Sequence, residues 1–335
     1  MYGFTNYQAA DSRYDSPNLL RRCGRSGVML PAVSLGLWKN FGALRPYDDS
    51  LRLLHYAFDH GITHLDLANN YGPPPGTAEQ TLGRAMRDSF APYRDELFIS
   101  TKAGYDMWPG PYGNWGSRKS LIASLDQSLK RMNLDYVDLF YTHRYDPETP
   151  LDETLQALVD IVRSGKSLYV GISRWPLEAT RYGMEYLRRH DVPCLCYQGR
   201  INILDHAPLE EGTLKEATDQ GAGFVSFSPL AQGLLTDRYL NGIPADSRIK
   251  METTLSSDRL TPKLLSMLGK LNAIAQERGD SLADLALKWV LAHRGVTSVI
   301  IGASKTSQIS DNLRAVEGTP LSPEEMAKIE AVAAE

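Results

Sequence analysis

The sequence predicts an α/β fold, a closed (β/α)8 TIM barrel that forms a single domain over residues 1–335. Two observations predict it. Apolar runs of strand length recur along the chain, and amphipathic helical stretches lie between them. Apolar strands that alternate with helices indicate a parallel sheet covered by helices, and eight such steps fit a closed barrel better than an open sheet.

Each element of this barrel has its own pattern. The predicted strands are VSLGL (33–37), THLDLA (63–68), LFISTK (97–102), VDLFYTH (137–143), LYVGIS (168–173), CLCYQ (194–198), GFVSFS (223–228) and SVIIGA (298–303). Apolar residues with helical spacing recur over 151–162, 121–132 and 282–290.

Segments outside the strand–helix steps predict a cap and two loops. LLRRCGRSGVMLP (19–31) indicates a β-hairpin with its turn at Gly24 to Gly27, which would cap the bottom of the barrel. The irregular stretches 104–116 and 231–260 predict long loops on the C-terminal face, where long loops are usually functional or mobile.

Composition excludes several classes of protein. The chain is 42% hydrophobic and 23% charged with a net charge of −4, so no nucleic-acid partner is expected. No apolar run reaches about 18 residues, and the N-terminal segment lacks the apolar core of a secretory signal, so neither a membrane span nor export is expected. The three cysteines form no CxxC pair, which fits a reducing cytoplasm without disulfides or a metal site. Composition leaves a homo-oligomer open.

Four reactive side chains fall near the ends of three successive predicted strands. Asp66 and Tyr71 lie in or just after THLDLA, Lys102 closes LFISTK, and His143 closes VDLFYTH. Side chains at this end of barrel strands face the active site. A lysine ammonium beside a tyrosine is expected to lower the tyrosine pKa from about 10, with the aspartate holding the lysine. The set predicts a proton-donating site for a carbonyl substrate, whose oxygen His143 would hydrogen-bond.

A phosphate site is predicted where the last two strands end. No GxGxxG turn follows a strand, so a Rossmann mode of nucleotide binding is not supported. FSPLAQGLL (227–235), followed by Arg238 and Arg248, comes after the seventh strand. IIGASKTSQISDN (300–312) opens a helix, with Ser304 and Thr306 as capping candidates. Loops at these positions commonly hold phosphate. The same segments are equally consistent with ordinary turns and caps.

The motifs together resemble the aldo-keto reductase superfamily over nearly the whole chain. The motifs that carry the resemblance are LGLW (35–38), HLDLANNYG (64–72), STK (100–102), YTH (141–143), VGIS (170–173), Gln198, FSPLAQGLLT (227–236) and IGAS (301–304). Three further segments are similar to the branch of bacterial L-glyceraldehyde 3-phosphate reductases, NNYGPPPGTAE (69–79), AGYDMWPGPYGNWGS (103–117) and YLNGIPADSR (239–248). The potassium-channel beta subunits share much of this pattern.

The resemblance implies NADPH (NADP+) bound in an extended form across the barrel mouth, and it assigns roles to individual residues. The implied cofactor contacts are Gly36, Leu37, Trp38, Asp66, Ser173, Arg174, Gln198, Phe227, Ser228, Leu230, Gln232, Gly233, Arg238, Arg248, Gly302, Ser304, Gln308 and Asn312. Ser173, Arg174 and Gln198 would hold the nicotinamide carboxamide. Arg200, within GRIN, and Gly302, where other branches use Lys, depart from the family pattern.

The loop 104–116 carries Tyr105, Trp108, Tyr112 and Trp115, which either line the substrate pocket or pack the loop itself. The substrate contacts predicted for the site are Trp38, Tyr71, Trp108, Tyr112 and His143. Arg174 or Arg200 is available for an anionic group. Together with this, the resemblance implies NADPH-dependent reduction of short aldehydes such as L-glyceraldehyde 3-phosphate or methylglyoxal, the latter a detoxification. Two alternatives stay open, a Schiff-base aldolase that uses Lys102 and a cofactor-sensing binding protein.

Overall fold

Parallel strands surrounded by helices make up the computed structural model, which describes residues 7–240, 242–243, 249 and 256–335. The strands are β1 (Leu20–Arg22), β2 (Met29–Pro31), β3 (Val33–Gly36), β4 (His64–Asp66), β5 (Phe98–Ala103), β6 (Val137–Thr142), β7 (Ser167–Ser173), β8 (Cys194–Arg200), β9 (Gly223–Phe227) and β10 (Val296–Ile301). The α-helices are α1 (Tyr47–Asp59), α2 (Thr77–Ala85), α3 (Arg118–Met132), α4 (Leu151–Arg163), α5 (Leu177–Arg189), α6 (Ala207–Glu210), α7 (Thr213–Gln220), α8 (Pro262–Glu277), α9 (Leu282–Ala292), α10 (Thr306–Glu317) and α11 (Pro323–Ala333).

The sheet closes into a barrel in the order β10–β3–β4–β5–β6–β7–β8–β9, and all its neighbouring strands are parallel. This confirms the predicted (β/α)8 barrel. Each predicted strand is present, and its bounds differ from the expected ones by a residue or two. The helical periodicity over 121–132, 151–162 and 282–290 corresponds to α3, α4 and α9.

The predicted hairpin caps the N-terminal end of the barrel. β1 and β2 pair antiparallel, and the Cys23 N–H donates to Val28 O across 2.9 Å, which closes the turn at Gly24 to Gly27. Gly24 has a φ of 56°, and a Cβ there would stand 2.2 Å from the carbonyl oxygen of Gly221, just ahead of β9. A side chain at Gly24 would therefore push the hairpin off the barrel.

Two buried clusters account for most of the core, and a third, small one joins Leu234, Tyr239 and Ile249. The largest cluster lies between the strands and the helices around them. The second cluster joins side chains from several strands with the hairpin, and its members are Cys23, Leu30, Leu139, Tyr141, Leu195, Cys196, Val225 and Ile300. All three cysteines are buried and unpaired, as expected for small apolar side chains. Within the described ranges, no helix is both long and apolar enough to cross a bilayer.

A buried ion pair fastens α2 to α3 and to β5. The Glu79 carboxylate is fully buried, and it accepts a hydrogen bond from Arg131 Nε at 2.7 Å and another from Thr101 Oγ1 at 2.6 Å. Thr101 immediately precedes Lys102, so its outward side chain anchors the strand whose next residue points inward. The pair thus connects the helical layer to the strand that carries Lys102.

We expect Arg131→Met to lower the free energy of unfolding by about 3 kcal/mol, because it leaves the Glu79 carboxylate buried without its cation. The matched control is Arg118→Met, also on α3, whose exposed side chain pairs with Asp160 at the surface. Loss of an exposed pair costs about 1 kcal/mol or less. Denaturant unfolding of both variants measures the difference, and equal midpoints would contradict a stabilising role for the buried pair.

Candidate active site

The four predicted catalytic side chains meet at the C-terminal ends of β4, β5 and β6. Asp66 ends β4, Lys102 lies near the end of β5, and His143 follows β6 directly. Lys102 Nζ is 2.6 Å from Asp66 Oδ2 and 5.0 Å from the ring centroid of Tyr71. The rings of Tyr71 and His143 lie edge to face with their centroids 5.7 Å apart. Residues separated along the sequence by a whole strand–helix step therefore form one cluster.

Lys102 and Asp66 form a water-excluded ion pair. Lys102 is fully buried, and its ammonium donates to Asp66 Oδ2 and to the carbonyl oxygen of Leu67, each across 2.6 Å. The other carboxylate oxygen, Asp66 Oδ1, accepts from Ser100 Oγ at 2.8 Å and from Gln198 Nε2 at 3.0 Å. Burial lowers the pKa of Lys102, and the adjacent Asp66 carboxylate opposes that shift. The Asp66 carboxylate therefore favours the charged form of Lys102 and counteracts the effect of burial.

The sequence-based expectation for the acidity of Tyr71 is wrong in direction. Burial raises the pKa of Tyr71 well above its ordinary value, and the Asp66 carboxylate raises it further, whereas Arg174 lowers it. The expectation gave the lysine charge the dominant effect. In the structure that charge is matched by Asp66, so the loss of solvent dominates. Tyr71 thus holds its proton firmly at neutral pH, and a proton donor must hold its proton before it transfers it.

His143 presents a neutral imidazole to the same space. It is buried, and burial lowers its pKa well below the usual value. The charges of Lys102, Arg174 and Arg144 lower this pKa further. Its Nδ1 has no hydrogen-bond partner among the described residues. A neutral ring can donate from one nitrogen only, which suits a hydrogen bond to a carbonyl oxygen.

Tyr105 forms a wall of the site and is not among the substrate contacts predicted from the sequence. Its ring packs edge-on against His143 with centroids 4.7 Å apart, and its hydroxyl accepts a hydrogen bond from Arg174 Nη1 at 2.7 Å. Its place in the aromatic loop was visible in the sequence. Which of the loop aromatics turns inward depends on contacts made by distant residues.

Arg144 provides those contacts, and sequence reasoning missed it. Its guanidinium lies 3.5 Å from the ring centroid of Trp115 and 4.3 Å from that of Tyr105. It also donates to Gly104 O and to Asn114 Oδ1, both at 2.8 Å. One side chain next to His143 therefore fastens both ends of the loop 104–116. The sequence gives little sign of this role, because Arg144 is distant along the chain from the aromatic residues on which it packs.

The other predicted substrate residues lie at different distances from the cluster. Trp38 is near it, with its ring centroid 6.4 Å from that of Tyr71. Tyr112 is 48% exposed and packs on Lys119 of α3. Trp108 is half-buried within the loop's own turn, where the Met107 N–H donates to Gly113 O at 2.9 Å. The contacts therefore bring Trp38 to the site and place Tyr112 against α3.

Residues on three strands extend the site beside Asp66. Gly36 ends β3 opposite Asp66 in the register, and the Leu37 N–H donates to Asp66 O at 2.9 Å. Ser173 ends β7 opposite Gln198 of β8. Ser173 is buried, and its Oγ has no hydrogen-bond partner among the described residues. A buried hydroxyl without a partner is costly, so Ser173 is available to hydrogen-bond a polar group at this edge.

The segment after β9 has a strained backbone. Phe227 ends the strand half-buried, and Ser228, Ala231 and Gln232 then adopt positive φ angles of 52°, 46° and 60°. Leu230 lies within this run, and Gly233 follows it with a φ of 101°. Left-handed residues in such turns arrange backbone N–H groups into concavities that bind anions. Arg238 follows in a short 3₁₀ helix, and Arg248 lies outside the described residues.

The segment after β10 differs in one detail from expectation. Helix α10 begins at Thr306 with Lys305 as its N-cap, so neither Ser304 nor Thr306 is the capping residue that the sequence suggested. Instead Gln308 Oε1 accepts from the backbone N–H of Ser304 at 2.7 Å and of Lys305 at 3.2 Å. The longer amide side chain of Gln308 reaches back to these backbone N–H groups, which the hydroxyls of Ser304 and Thr306 do not cap. Gly302 is exposed nearby, and Asn312 is buried on α10.

The described residues contain no group of three or more His, Cys, Asp or Glu side chains arranged to hold a metal ion.

Comparisons with known proteins agree with this geometry. A family model described as "Aldo/keto reductase family" matches residues 32–334. The chain is 53% identical over 314 residues to L-glyceraldehyde 3-phosphate reductase of Escherichia coli (strain K12), which covers 92% of this chain and 91% of that protein. It is 36% identical over 319 residues to a probable voltage-gated potassium channel subunit beta of Oryza sativa subsp. japonica, covering 93% and 95%. A protein of the same description in Arabidopsis thaliana is 35% identical over 319 residues, again covering 93% and 95%.

Proposed function

Because the chain belongs to the aldo/keto reductase family and is an oxidoreductase, we propose that it reduces short aldehydes and ketones to alcohols with NADPH. One observation carries the proposal. Tyr71, His143 and the buried Lys102–Asp66 pair converge at the C-terminal end of the barrel. A protonated tyrosine, a lysine held charged and a neutral histidine are together suited to a carbonyl that gains a proton as it is reduced.

Each side chain has a distinct role in this reaction. Tyr71 donates its proton to the carbonyl oxygen as negative charge develops there, since burial keeps that proton in place until then. The Lys102 ammonium stabilises the phenolate that remains, and Asp66 keeps the ammonium charged and placed. His143 donates a hydrogen bond to the same oxygen and orients the carbonyl. NADPH, when bound, supplies the hydride.

The residues present fit that cofactor. Ser173 offers a buried hydroxyl, which has no hydrogen-bond partner among the described residues, to the carboxamide of a nicotinamide beside Gln198. Phe227 offers a half-buried ring for stacking. The segment from Ser228 to Gly233, in which four residues have positive φ, is suited to a pyrophosphate. The residues proposed for the phosphates and the adenine are Arg238, Arg248, Ser304, Gln308 and Asn312, with Gly302 beside them.

The substrate class follows from the charges at the site mouth. Arg200 forms an ion pair with Asp205 at 2.6 Å, so its charge is already matched. Arg174 donates a hydrogen bond to the Tyr105 hydroxyl, and its charge lowers the pKa of both Tyr71 and His143. Arg174 is thus the better placed of the two to meet an anionic substrate group. With the relative named L-glyceraldehyde 3-phosphate reductase, this favours L-glyceraldehyde 3-phosphate, with methylglyoxal as a second short aldehyde for detoxification.

A Schiff-base aldolase is less well supported. Such a lysine must reach its substrate as a free amine. Burial does lower the pKa of Lys102, but the side chain is fully buried and two of its three N–H donors are bound to Asp66 and Leu67. A cofactor-sensing role without turnover would not require the complete proton-donating cluster.

We also propose a cytoplasmic location, which fits three free buried thiols. A homo-oligomer stays a prediction.

Tyr71→Phe should lower kcat for carbonyl reduction by about 10² to 10⁴-fold, because it removes the general acid. The affinity for NADPH should change little, since the ring is retained. Tyr182→Phe is the matched control, as Tyr182 is exposed on α5. Steady-state kinetics with fluorescence titration of NADPH measures both quantities. Near-normal turnover of Tyr71→Phe would remove Tyr71 from the proposed role.

NADPH should bind more tightly than NADH. Two variants should separate the contacts that both nucleotides share from those made only by the extra phosphate of NADPH. Ser173→Ala should weaken both nucleotides by a similar factor, about 3- to 10-fold, because it removes one hydrogen bond at the shared nicotinamide end. Arg248→Ala should instead narrow the gap between them, since a guanidinium matches the extra phosphate of NADPH. Calorimetric titration gives the dissociation constants. Equal constants for the two nucleotides in the unmutated protein would contradict the cofactor preference.

The kcat/KM for glyceraldehyde 3-phosphate should exceed that for unphosphorylated glyceraldehyde, and Arg174→Gln should reduce this ratio by about tenfold or more through loss of a charge-assisted contact. Arg200→Gln should leave the ratio unchanged, because Arg200 is paired with Asp205. A coupled assay on both substrates measures the ratios. A ratio near one in the unmutated protein would contradict a phosphate-recognising pocket while leaving the reductase assignment in place.

A further inference from the structure

A continuous row of hydrogen-bonded side chains runs through the barrel interior beneath the ion pair. Ser100 Oγ, which donates to Asp66, is 3.0 Å from His64 Nε2. His64 Nδ1 is 2.8 Å from Ser34 Oγ, which is 2.6 Å from Ser298 Oγ. Strands β10, β3, β4 and β5 contribute to the row, and the three serines and His64 are fully buried. Nothing in the reaction described above uses these residues.

The hydrogen bonds fix the direction of the protons between Ser34 and Asp66. Ser100 has one hydroxyl proton, and the Asp66 carboxylate accepts it. His64 Nε2 must therefore carry the proton that it shares with Ser100. A neutral imidazole then has an unprotonated Nδ1, so the Ser34 hydroxyl must donate to it. The donors of Ser34, His64 and Ser100 consequently point toward Asp66, whereas the Ser298 hydroxyl has both Ser34 Oγ and the Ala32 carbonyl oxygen, 3.4 Å away, as acceptors. Burial supports the neutral form, since it lowers the pKa of His64 to about 4.

We propose that His64 is a positioning residue of the active site. As the neutral Nε2–H tautomer it orients the Ser100 hydroxyl onto Asp66 Oδ1, which leaves Asp66 Oδ2 to hold the Lys102 ammonium. Resting on the function proposed above, this assigns to a buried histidine on β4 the task of keeping the catalytic lysine charged. Without the imidazole donor, the Ser100 hydroxyl is free to rotate and the carboxylate loses a fixed hydrogen bond.

The consequence for Lys102 has a definite sign. Burial lowers the pKa of Lys102 and the Asp66 carboxylate raises it. A carboxylate that is less well fixed raises it less, so Lys102 should lose its proton at a lower pH. The other titratable groups around Lys102 are Glu79 from α2, Tyr71 after β4, and Tyr141 and His143 from β6 and its end. These groups are unchanged by a substitution at His64, so they do not produce the shift.

The experiment follows Lys102 directly and through catalysis. His64→Leu should move the deprotonation of Lys102, seen by NMR of ¹³C-labelled lysine, down by about one pH unit. The alkaline limb of the kcat profile should move with it while KM for the carbonyl changes little. Ser100→Ala should give the same shift, and the double variant no further one, because both act through one link. Ser124→Ala, a buried serine on α3, is the control and should leave the limb in place.

In His64→Gln the deprotonation of Lys102 should return most of the way to its pH in the unmutated protein, since an amide carries both a donor and an acceptor. Long-range ¹H–¹⁵N NMR of the unmutated protein should show His64 as a neutral Nε2–H ring from pH 8 down to pH 5, which decides the matter should His64→Leu fail to fold. An Nδ1–H tautomer, an unmoved Lys102 titration in Ser100→Ala, or additive losses in the double variant would overturn the proposal. The NMR readouts need no turnover, so failure of the reductase assignment would be seen separately.

Discussion

The buried Lys102–Asp66 pair is the interaction on which the rest of the site depends. Removing two charges from water costs several kcal/mol for each ion, and their attraction offsets this only when the remaining hydrogen bonds are satisfied. Here Leu67, Ser100 and Gln198 supply hydrogen bonds to the pair. The pair also constrains the barrel, because a slip of one residue in β5 would turn Lys102 outward and leave Asp66 alone inside.

The sequence predicted what depends on strand periodicity and closure. Strand positions follow from apolar runs, and a closed barrel brings the ends of β4, β5 and β6 together, so Asp66, Lys102 and His143 could be placed from the sequence. It could not give the acidity of Tyr71, because that depends on how completely the folded loops exclude water. His64 was read only as part of a strand, since its partners Ser34 and Ser100 become neighbours through barrel closure.

Loop geometry was harder to predict for a similar reason. The aromatic loop 104–116 was recognised, yet composition does not decide which ring faces the site. That choice is made by Arg144, which lies beyond α3 and β6 in the chain and packs on Tyr105 and Trp115. The cap of α10 shows the same limit on a smaller scale. Hydroxyl residues at its start fit the usual capping pattern, but Gln308 reaches both free amides at once.

Seven non-glycine residues in the described ranges adopt positive φ, and four of them lie at the rim of the barrel after β7 and β9. Arg174, Ser228, Ala231 and Gln232 all adopt positive φ, which costs about 1 kcal/mol or more for residues with a Cβ. Asn133, by contrast, ends α3 in that conformation at little cost. Strain persists only where surrounding structure imposes it. This strain lies after β7 and β9, beside the Ser173 hydroxyl, which has no hydrogen-bond partner among the described residues, so the strained backbone and the unsatisfied polar group share one edge of the barrel.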